Sequence, residues 1–266
     1  MRVGILGLGV VGTAVRGGFQ KLGHDVCYYD PKIKTSNFTD ILDTEICFVC
    51  VPSPSLNDGS CNVAIVKKSV SELNANKYGG IVAIKSTVEP RTTLHLIQKY
   101  PNLKIAFVPE FLRERCAVTD FIENHDLCVI GTEDDFVFSK IKEVHGNYPK
   151  KVIQLSSTEA ELVKYYNNIY NATLVVLANS FYEVCQYASA DYTKVKEALV
   201  CRNHINDAYL QCNKNFRGFG GVCLPKDLLA IATMIEKEGL NIDFFKMILR
   251  ENNKYKSTVY KGMRKE

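Results

Sequence analysis

Long apolar runs are missing from this sequence: none of its 266 residues lies in a run approaching the roughly 18 apolar residues of a membrane span. A cleavable apolar leader is also missing, because Met1–Leu6 reads directly as a strand. The formal net charge is only +4, and basic and aromatic residues are not interleaved as in a nucleic-acid groove. We therefore expect a soluble protein without a signal peptide that binds neither membranes nor nucleic acids.

Disulfide bonds are not expected either, although the sequence has ten cysteines. A chain of this length can bury a sufficient core without such cross-links. Cys47 and Cys50 have the spacing of a C-x-x-C motif, but positions i and i+3 of a strand point to opposite faces and cannot hold one metal ion. We predict free thiols, no metal site and a reducing, cytosolic location.

Short apolar runs alternate with amphipathic helical segments over residues 1–155. The candidate strands are Arg2–Leu6, Val26–Tyr29, Ile46–Val51, Gly80–Ile84, Ile105–Val108, Leu127–Ile130 and Val152–Leu155. This alternation is typical of an α/β fold with a doubly wound parallel sheet. We predict a Rossmann-like domain over residues 1–155.

The pattern becomes helical after Leu155. Hydroxyl side chains and an acidic residue at Ser156–Glu159 are typical of a helix start. The stretch from there to about residue 190 contains neither proline nor glycine, which favours one long helix. Its segment Ala172–Ala178 is apolar nearly all round, so we expect it to be buried or to contact a partner chain. Further helical patterns at 192–201, 225–238 and 242–262 complete an all-helical domain over 156–266.

The segment Gly7–Gly12 is a G-x-G-x-x-G motif between a strand and a helix. In that context the first glycine allows a tight turn and the second allows the backbone to approach a pyrophosphate. The third lets the helix pack on the sheet, and the helix N-terminus attracts the phosphate charge. The sequence therefore predicts a dinucleotide site, with a structural turn that binds no ligand as the alternative.

Asp30 follows the second candidate strand, at the position of an acid that accepts the ribose hydroxyls. A carboxylate there repels a 2′-phosphate, so NAD is favoured over NADP. Lys32 and Lys34 lie nearby and leave NADP open.

Cys223 follows two glycines and precedes Pro225, which suits the first turn of a helix. A thiol at a helix N-terminus beside Lys226 should be partly ionised and nucleophilic. The alternative is a buried structural cysteine. Lys164 and Asn168 have i, i+4 spacing and share one helix face, where they could stabilise an oxyanion or form an exposed polar pair.

Several motifs in order resemble the nucleotide-sugar 6-dehydrogenases, a family that includes UDP-glucose and GDP-mannose dehydrogenases. These motifs are Val51–Pro54 with Asp58-Gly59, Lys85–Val88, Pro109–Glu114, Glu161–Asn168 and Gly218–Asp227. The resemblance implies oxidation of a sugar C6 alcohol to a carboxylate with reduction of two NAD, UDP-glucose being the expected substrate. It also implies a homodimer that pairs through the long helix at 156–190.

The resemblance further implies roles for individual residues. Cys223 would form a thiohemiacetal and then a thioester, Glu110 would activate water near Thr87, and Lys164 and Asn168 would stabilise the oxyanion. The catalytic set is completed by Asp227, which would hold water or Lys164. The implied NAD contacts are Gly7, Gly9, Val10, Val11, Gly12, Asp30, Lys34, Ser53, Thr87, Glu114 and Lys226. The implied substrate contacts are Glu110, Phe111, Leu112, Arg113, Lys164, Asn168, Asn213, Lys214, Asn215, Phe216 and Gly220.

The sequence departs from the family at its end and in a few places along its length. It stops at Glu266, where family members continue into a third, nucleotide-binding domain, so we expect that domain to be absent. Val108, Arg115, Asn179-Ser180 and Asn215–Arg217 replace the usual residues. Two other interpretations therefore stay open: a 3-hydroxyacid-type dehydrogenase, and an inactive remnant that binds NAD or a nucleotide sugar.

Overall fold

A computed structural model describes residues 1–255 of the chain. The strands are β1 (Arg2–Leu6), β2 (Asp25–Tyr29), β3 (Ile46–Val49), β4 (Ile81–Ile84), β5 (Lys104–Phe107), β6 (Leu127–Gly131) and β7 (Lys151–Leu155). The helices are α1 (Val10–Lys21), α2 (Thr39–Leu42), α3 (Ala64–Ala75), α4 (Thr92–Lys99), α5 (Ala117–Ile122), α6 (Asp135–His145), α7 (Ser157–Tyr187), α8 (Tyr192–Val200), α9 (Cys223–Lys237) and α10 (Phe244–Asn252), with a short 3-10 helix at Glu114–Cys116. The helix predicted at 242–262 is present as α10, which ends at Asn252 rather than continuing through Tyr255. The predicted residues beyond 255 lie outside the described part.

The seven strands form one sheet in the order β2-β1-β3-β4-β5-β6-β7. Neighbouring strands pair in parallel except β5 and β6, which meet antiparallel at Phe107 and Gly131. The predicted Rossmann-like fold with a doubly wound parallel sheet is therefore confirmed, with β5 and β6 pairing antiparallel within it. From β1 the chain continues to β2 on one side, and it then crosses to β3 on the other side of β1. In such sheets ligands bind at the carboxyl ends of the strands, beside the point where the order reverses.

The chain forms two compact units. Unit 1 comprises Met1–Pro54 and Asn62–Lys164, and unit 2 comprises Ser55–Cys61 and the chain from Tyr165 onward. The boundary lies inside α7, whereas the division predicted from the sequence lies just before that helix. The reason is that the first turns of α7 pack on the sheet: a Cβ on Gly131 would lie 2.6 Å from the Ala160 Cβ.

The long helix predicted after Leu155 is present as α7, over Ser157–Tyr187. Ser156 and Glu159 begin it with reciprocal hydrogen bonds, because the Glu159 carboxylate accepts from Ser156 N at 2.8 Å and the Ser156 hydroxyl accepts from Glu159 N at 3.3 Å. Within unit 2, Ala178 and Cys185 of α7 pack with Tyr192 and Leu210 in a small core.

The ten cysteines all lie in the described residues, and none of them forms a disulfide bond. In the part of the chain that the structure describes, no helix is long and apolar enough to cross a membrane. No group of three or more potential metal ligands occurs among the same residues.

Two histidines lie against the aromatic core of unit 1. The rings of His125 and His145 are 5.9 Å apart, and the Phe121 ring contacts both. His145 is fully buried; its Nδ1 contacts the Ile141 carbonyl at 2.7 Å, while its Nε2 has no hydrogen-bond partner among the described residues. Burial, assisted by the charge of Lys85, lowers the pKa of His125 to about 4 and holds the pKa of His145 well below its ordinary value.

The free energy of unfolding is expected to fall as the pH is lowered from about 6.5 to about 4, because histidine in the unfolded chain titrates near 6.5 and binds a proton that the folded chain does not. The loss amounts to about 3 kcal/mol for His125. Urea denaturation across this pH range measures it. His125→Gln should flatten the pH dependence, and the exposed His204→Gln should not. An unchanged slope in His125→Gln would contradict the assignment.

Candidate active site

The turn between β1 and α1 has the geometry that a dinucleotide site requires. Gly7 has φ +90°, and a Cβ there would lie 2.7 Å from the Cys50 carbonyl oxygen of the neighbouring strand end. A Cβ on Gly12 would lie 1.9 Å from the Gly7 oxygen, whereas a Cβ on Gly9 would meet nothing within 4 Å. Side chains are thus excluded at Gly7 and Gly12 by packing, and the space above Gly9 is open.

Asp30 closes this turn from the end of β2. Its carboxylate accepts hydrogen bonds from Leu8 N at 2.8 Å and from Lys32 N at 2.9 Å. These bonds, that from Leu8 first, lower the pKa of Asp30 below its ordinary value. The carboxylate is therefore ionised at neutral pH, and it is fixed beside the open space of the glycine turn.

No side chain caps the N-terminus of α1 among the described residues, so the amides of Val10 and Val11 face the region where a pyrophosphate would bind. Lys34 is exposed on the segment after β2, and Ser53 lies half-buried after β3. The open glycine turn, the uncapped helix and the ionised Asp30 together fit a dinucleotide.

The next two strands of unit 1 carry a second group of predicted residues at their carboxyl ends. Thr87 follows β4 and is half-buried, and Glu110 follows β5 with its side chain 12% exposed. Lys85, directly after β4, is buried, and its ammonium group donates to the Val108 carbonyl at 3.3 Å. Burial lowers the pKa of Lys85.

Lys164 and Glu110 form an ion pair inside unit 1. Lys164 Nζ donates to Glu110 Oε1 at 2.9 Å and to the Glu110 carbonyl at 2.6 Å, and the Lys164 side chain is 5% exposed. The other carboxylate oxygen of Glu110 accepts from Leu112 N at 2.7 Å. Lys164 also lies over the Phe111 ring, 5.8 Å from its centroid. The alternative of an exposed polar pair does not hold for Lys164.

The segment after Glu110 is tied down by Asp120. Arg113 makes two side-chain hydrogen bonds to this carboxylate, at 2.9 and 2.6 Å, and the Arg113 backbone amide adds a third. The Arg113 guanidinium holds the pKa of Asp120 far below its ordinary value. Glu114 follows as the first residue of the 3-10 helix. The predicted substrate segment at 110–113 is thus a fixed loop rather than a flexible one.

Unit 2 carries the nucleophile predicted from the sequence. Cys223 is exposed and is the first residue of α9, as expected for a thiol at a helix N-terminus. One turn later, Asp227 is fully buried; it accepts from Asn168 Nδ2 at 2.6 Å and pairs with Lys226 Nζ at 2.5 Å. The alternative of a buried structural cysteine is therefore not what the structure shows.

The remaining predicted substrate residues lie before Cys223. Asn213 and Phe216 pair backbone to backbone, at 3.1 and 3.3 Å, and form a tight exposed turn with Lys214 and Asn215. Gly220 is half-buried. Sequence reasoning missed three residues that hold site segments. Asn179 and Asn252 bind the backbone at Gly218 and Phe219, and Lys85 binds the Val108 carbonyl in unit 1. Lys85 lies in a recognised motif, and its charge on a buried strand end was the available signal.

Two family models match most of the chain. Residues 31–148 match the UDP-glucose/GDP-mannose dehydrogenase family, NAD binding domain, and residues 158–254 match the central domain of the same family. The chain belongs to the UDP-glucose/GDP-mannose dehydrogenase family. The predicted cofactor is confirmed at this level, since the chain carries the family's NAD binding domain.

Curated relatives are nucleotide-sugar dehydrogenases. The chain is 31% identical to UDP-glucose 6-dehydrogenase AglM of Haloferax volcanii, covering 90% of this chain and 66% of that protein. It is 29% identical to a UDP-glucose 6-dehydrogenase of Rickettsia bellii, covering 83% and 52%, respectively. The chain thus spans between about half and two thirds of the length of these relatives.

Two solved structures have the same fold, and one of them is a UDP-glucose dehydrogenase. A UDP-glucose dehydrogenase from Pyrobaculum islandicum is 28% identical with a TM-score of 0.84, covering 95% of this chain and 68% of that one. A 3-hydroxyisobutyrate dehydrogenase from Mycobacterium tuberculosis has a TM-score of 0.75 at 13% identity, covering 95% and 92%, respectively. The second likeness shows the fold alone and does not support the 3-hydroxyacid interpretation over the family.

Proposed function

We propose that this chain oxidises the C6 alcohol of a nucleotide sugar, UDP-glucose first among the candidates, to the uronate with reduction of two NAD. The observation that carries the proposal is Cys223 at the start of α9, one turn from the buried Asp227. An alcohol dehydrogenase that stops at the carbonyl has no use for a nucleophile there, whereas oxidation of an aldehyde to an acid does.

The proposed reaction divides the work among the chain's own residues. NAD, when bound, accepts the hydride in each of the two oxidations. Lys164 and Asn168 stabilise the alkoxide from which the first hydride leaves, its proton passing to solvent. The Cys223 thiol adds to the aldehyde and forms a thiohemiacetal. Loss of the second hydride from its carbon and of its hydroxyl proton to solvent leaves a thioester on Cys223.

Hydrolysis completes the proposed cycle. Water positioned by Glu110 attacks the thioester carbonyl, and the C–S bond breaks to release the carboxylate and the free thiol. Asp227 acts on Asn168 and Lys226, which it binds directly. Thr87, at the carboxyl end of β4, is assigned to the same region of unit 1 as Glu110.

Turnover tests the proposal. Purified protein is incubated with NAD and, separately, UDP-glucose, GDP-mannose and N-acetylated UDP-hexosamines, and absorbance at about 340 nm is followed alongside chromatography of the products. A rise with one sugar and formation of its uronate are expected. NAD binding by calorimetry with no rise for any sugar would instead support the inactive remnant.

Asp30→Ala is expected to weaken NAD binding by about tenfold to a hundredfold, because it removes both the acceptor for the ribose hydroxyls and the bond that fixes Leu8. Fluorescence titration with NADH measures the change. Asp40→Ala, on the exposed helix α2, is the matched control and should bind as the unaltered protein does. Equal affinity of both variants would remove Asp30 from the site.

We also propose a homodimer that pairs through α7, in the cytosol where the free thiols stay reduced. One stripe of α7 is apolar and exposed, including Tyr170, Leu177, Phe181 and Val184. The spacing of these residues by seven, four and three places them on one helix face. Burying such a stripe against a second copy is the arrangement that this pattern favours.

Phe181→Asp is expected to convert the dimer to a monomer, because the charge would be buried in the apolar contact. Sedimentation equilibrium at micromolar concentration should give twice the 29.9 kDa chain mass for the unaltered protein and a single chain mass for the variant. Gln186→Asp, also exposed on α7, is the control. A single-chain mass for the unaltered protein would contradict the dimer.

A further inference from the structure

The chain leading to Cys223 contains two consecutive glycines, yet the residues just before them are held by side chains from two helices. Gly218 and Phe219 are both buried. Gly220 and Gly221 follow, the latter with φ +76°, and α9 then begins at Cys223. A diglycine segment has large conformational freedom, so the position of the thiol depends on how firmly the chain on each side is fixed.

Asn179 of α7 fixes this segment from one side. Its side chain is 1% exposed, and its Oδ1 accepts from Gly218 N at 3.0 Å and from Arg217 Nε at 2.7 Å. Its Nδ2 donates to the Val175 carbonyl one turn earlier at 2.8 Å, so the carboxamide orientation is set by α7 itself. A buried amide that satisfies a loop backbone in this way is costly to remove.

Arg217 is in turn locked in place. Its guanidinium lies between the rings of Tyr182 and Tyr255, 4.6 and 4.8 Å from their centroids, and pairs with Glu183. Stacking on two aromatic faces suits the planar guanidinium. The Arg217 contact therefore holds both the Asn179 amide and the start of the loop.

Asn252, in the last turn of α10, fixes the segment from the other side. Its Oδ1 accepts from Phe219 N at 2.8 Å, and its Nδ2 donates to the Phe219 carbonyl at 3.0 Å. This two-point contact imitates the pairing of a neighbouring strand. It also restricts Gly218, where a Cβ would lie 3.0 Å from Asn252 Oδ1 and where φ is +65°.

We propose that Asn179 and Asn252 are positioning residues for Cys223. They hold the chain four and five residues before the thiol, while Asp227, bound to Asn168, holds the chain four residues after it. The thiol thus lies on a short segment fixed at both ends. The catalytic consequence of this proposal rests on the proposed function. The restraint of residues 218–223 can be measured without turnover.

Hydrogen exchange measures directly how firmly the segment before Cys223 is restrained. The Gly218 amide in Asn179→Ala and the Phe219 amide in Asn252→Ala are expected to exchange about tenfold faster or more, because each has lost its acceptor. Faster exchange should extend over residues 218–223 as the segment loosens. Amides in the second half of α9 should keep their rates, which separates local release from general destabilisation. Asn253→Ala is the matched control, since Asn253 is the exposed neighbour of Asn252.

Kinetics measure the consequence for the thiol. A displaced thiol captures the aldehyde poorly, so kcat for uronate formation should fall about tenfold to a hundredfold with KM little changed. Aldehyde should escape and be trapped by hydroxylamine, so that more than two NADH form per uronate. Asn252→Asp keeps the acceptor for Phe219 N. Its kcat for uronate formation should therefore lie between those of Asn252→Ala and the unaltered protein.

Two results would overturn the proposal. The first is unchanged hydrogen exchange at 218–223 in both alanine variants. The second is faster exchange in these variants together with a kcat and an aldehyde release that match those of the Asn253→Ala control. If the unaltered protein oxidises no nucleotide sugar, the proposed function fails separately. Iodoacetamide labelling then decides the positioning role, with the exposed Cys201 as internal reference. The ratio of Cys223 to Cys201 labelling should fall several-fold in the alanine variants, because loosening the first turn of α9 withdraws the helix N-terminus from the thiolate. An unchanged ratio would contradict the role.

Discussion

Cys223→Ala is expected to lower uronate formation by about a thousandfold or more while leaving oxidation of the alcohol measurable. The variant lacks the only group proposed to hold the aldehyde covalently for the second hydride transfer. Because that aldehyde is then free to leave, it should accumulate. The loss therefore falls on the second oxidation rather than on substrate binding.

Product analysis after incubation with NAD and the nucleotide sugar measures this effect, with hydroxylamine present to trap the aldehyde. Cys201→Ala is the matched control, since Cys201 is also an exposed free thiol but lies at the end of α8. It should behave as the unaltered protein. Full uronate formation by Cys223→Ala would contradict the proposed role of the thiol. Alcohol oxidation that is the same in both proteins and yields no uronate in either would favour a single-step dehydrogenase of the 3-hydroxyacid type.

Lys164→Met is expected to lower kcat about a thousandfold and the free energy of unfolding by about 3 kcal/mol. The kinetic loss follows from removing the cation assigned to the oxyanion. The stability loss follows because the Glu110 carboxylate, 12% exposed, loses its buried ionic partner. Few surface lysines would affect both quantities.

Steady-state rates and urea denaturation measure the two effects, with Lys142→Met on the surface of α6 as control. The double variant Lys164→Met with Glu110→Gln separates them. It removes both charges, so part of the lost stability should return while activity stays low. Normal stability in the single variant would show that the pair does not form in solution.

The sequence predicts the fold of this chain well because local residue patterns are enough to locate its strands and its long helix. All seven strands lie where apolar runs alternate with amphipathic helices, and α7 follows from a long segment without proline or glycine. The antiparallel meeting of β5 and β6 was missed. The direction of β6 relative to β5 depends on how the connecting segment with α5 packs. The residue pattern of one strand contains no information about that packing.

Site residues were predictable where the residue type and its sequence neighbours are typical of one chemical role. Gly7, Asp30 and Cys223 are of this kind, and the structure gives each the local geometry expected of it. Contacts between distant residues were not predictable. The pairing of Lys164 with Glu110, and of Asn168 with Asp227, joins positions more than fifty residues apart.

Asn179 shows the same limit most clearly. In the sequence it is noticed only as part of Asn179-Ser180, which takes the place of an N-E pair of the family, inside an otherwise apolar helix. Its function depends on Gly218 and Arg217, which the chain brings to it from beyond α8. A buried asparagine in an apolar helix is the signal that could have indicated a backbone partner elsewhere.

The number of NADH molecules formed per uronate decides whether this chain carries out both oxidations, because it counts the hydride transfers that occur before product leaves. Absorbance and uronate are measured in the same sample with the nucleotide sugar limiting. A ratio of about two, with no trapped aldehyde, is expected, since the Cys223 thioester links both steps. NADH formed without uronate, leaving aldehyde or ketone as the final product, would contradict it.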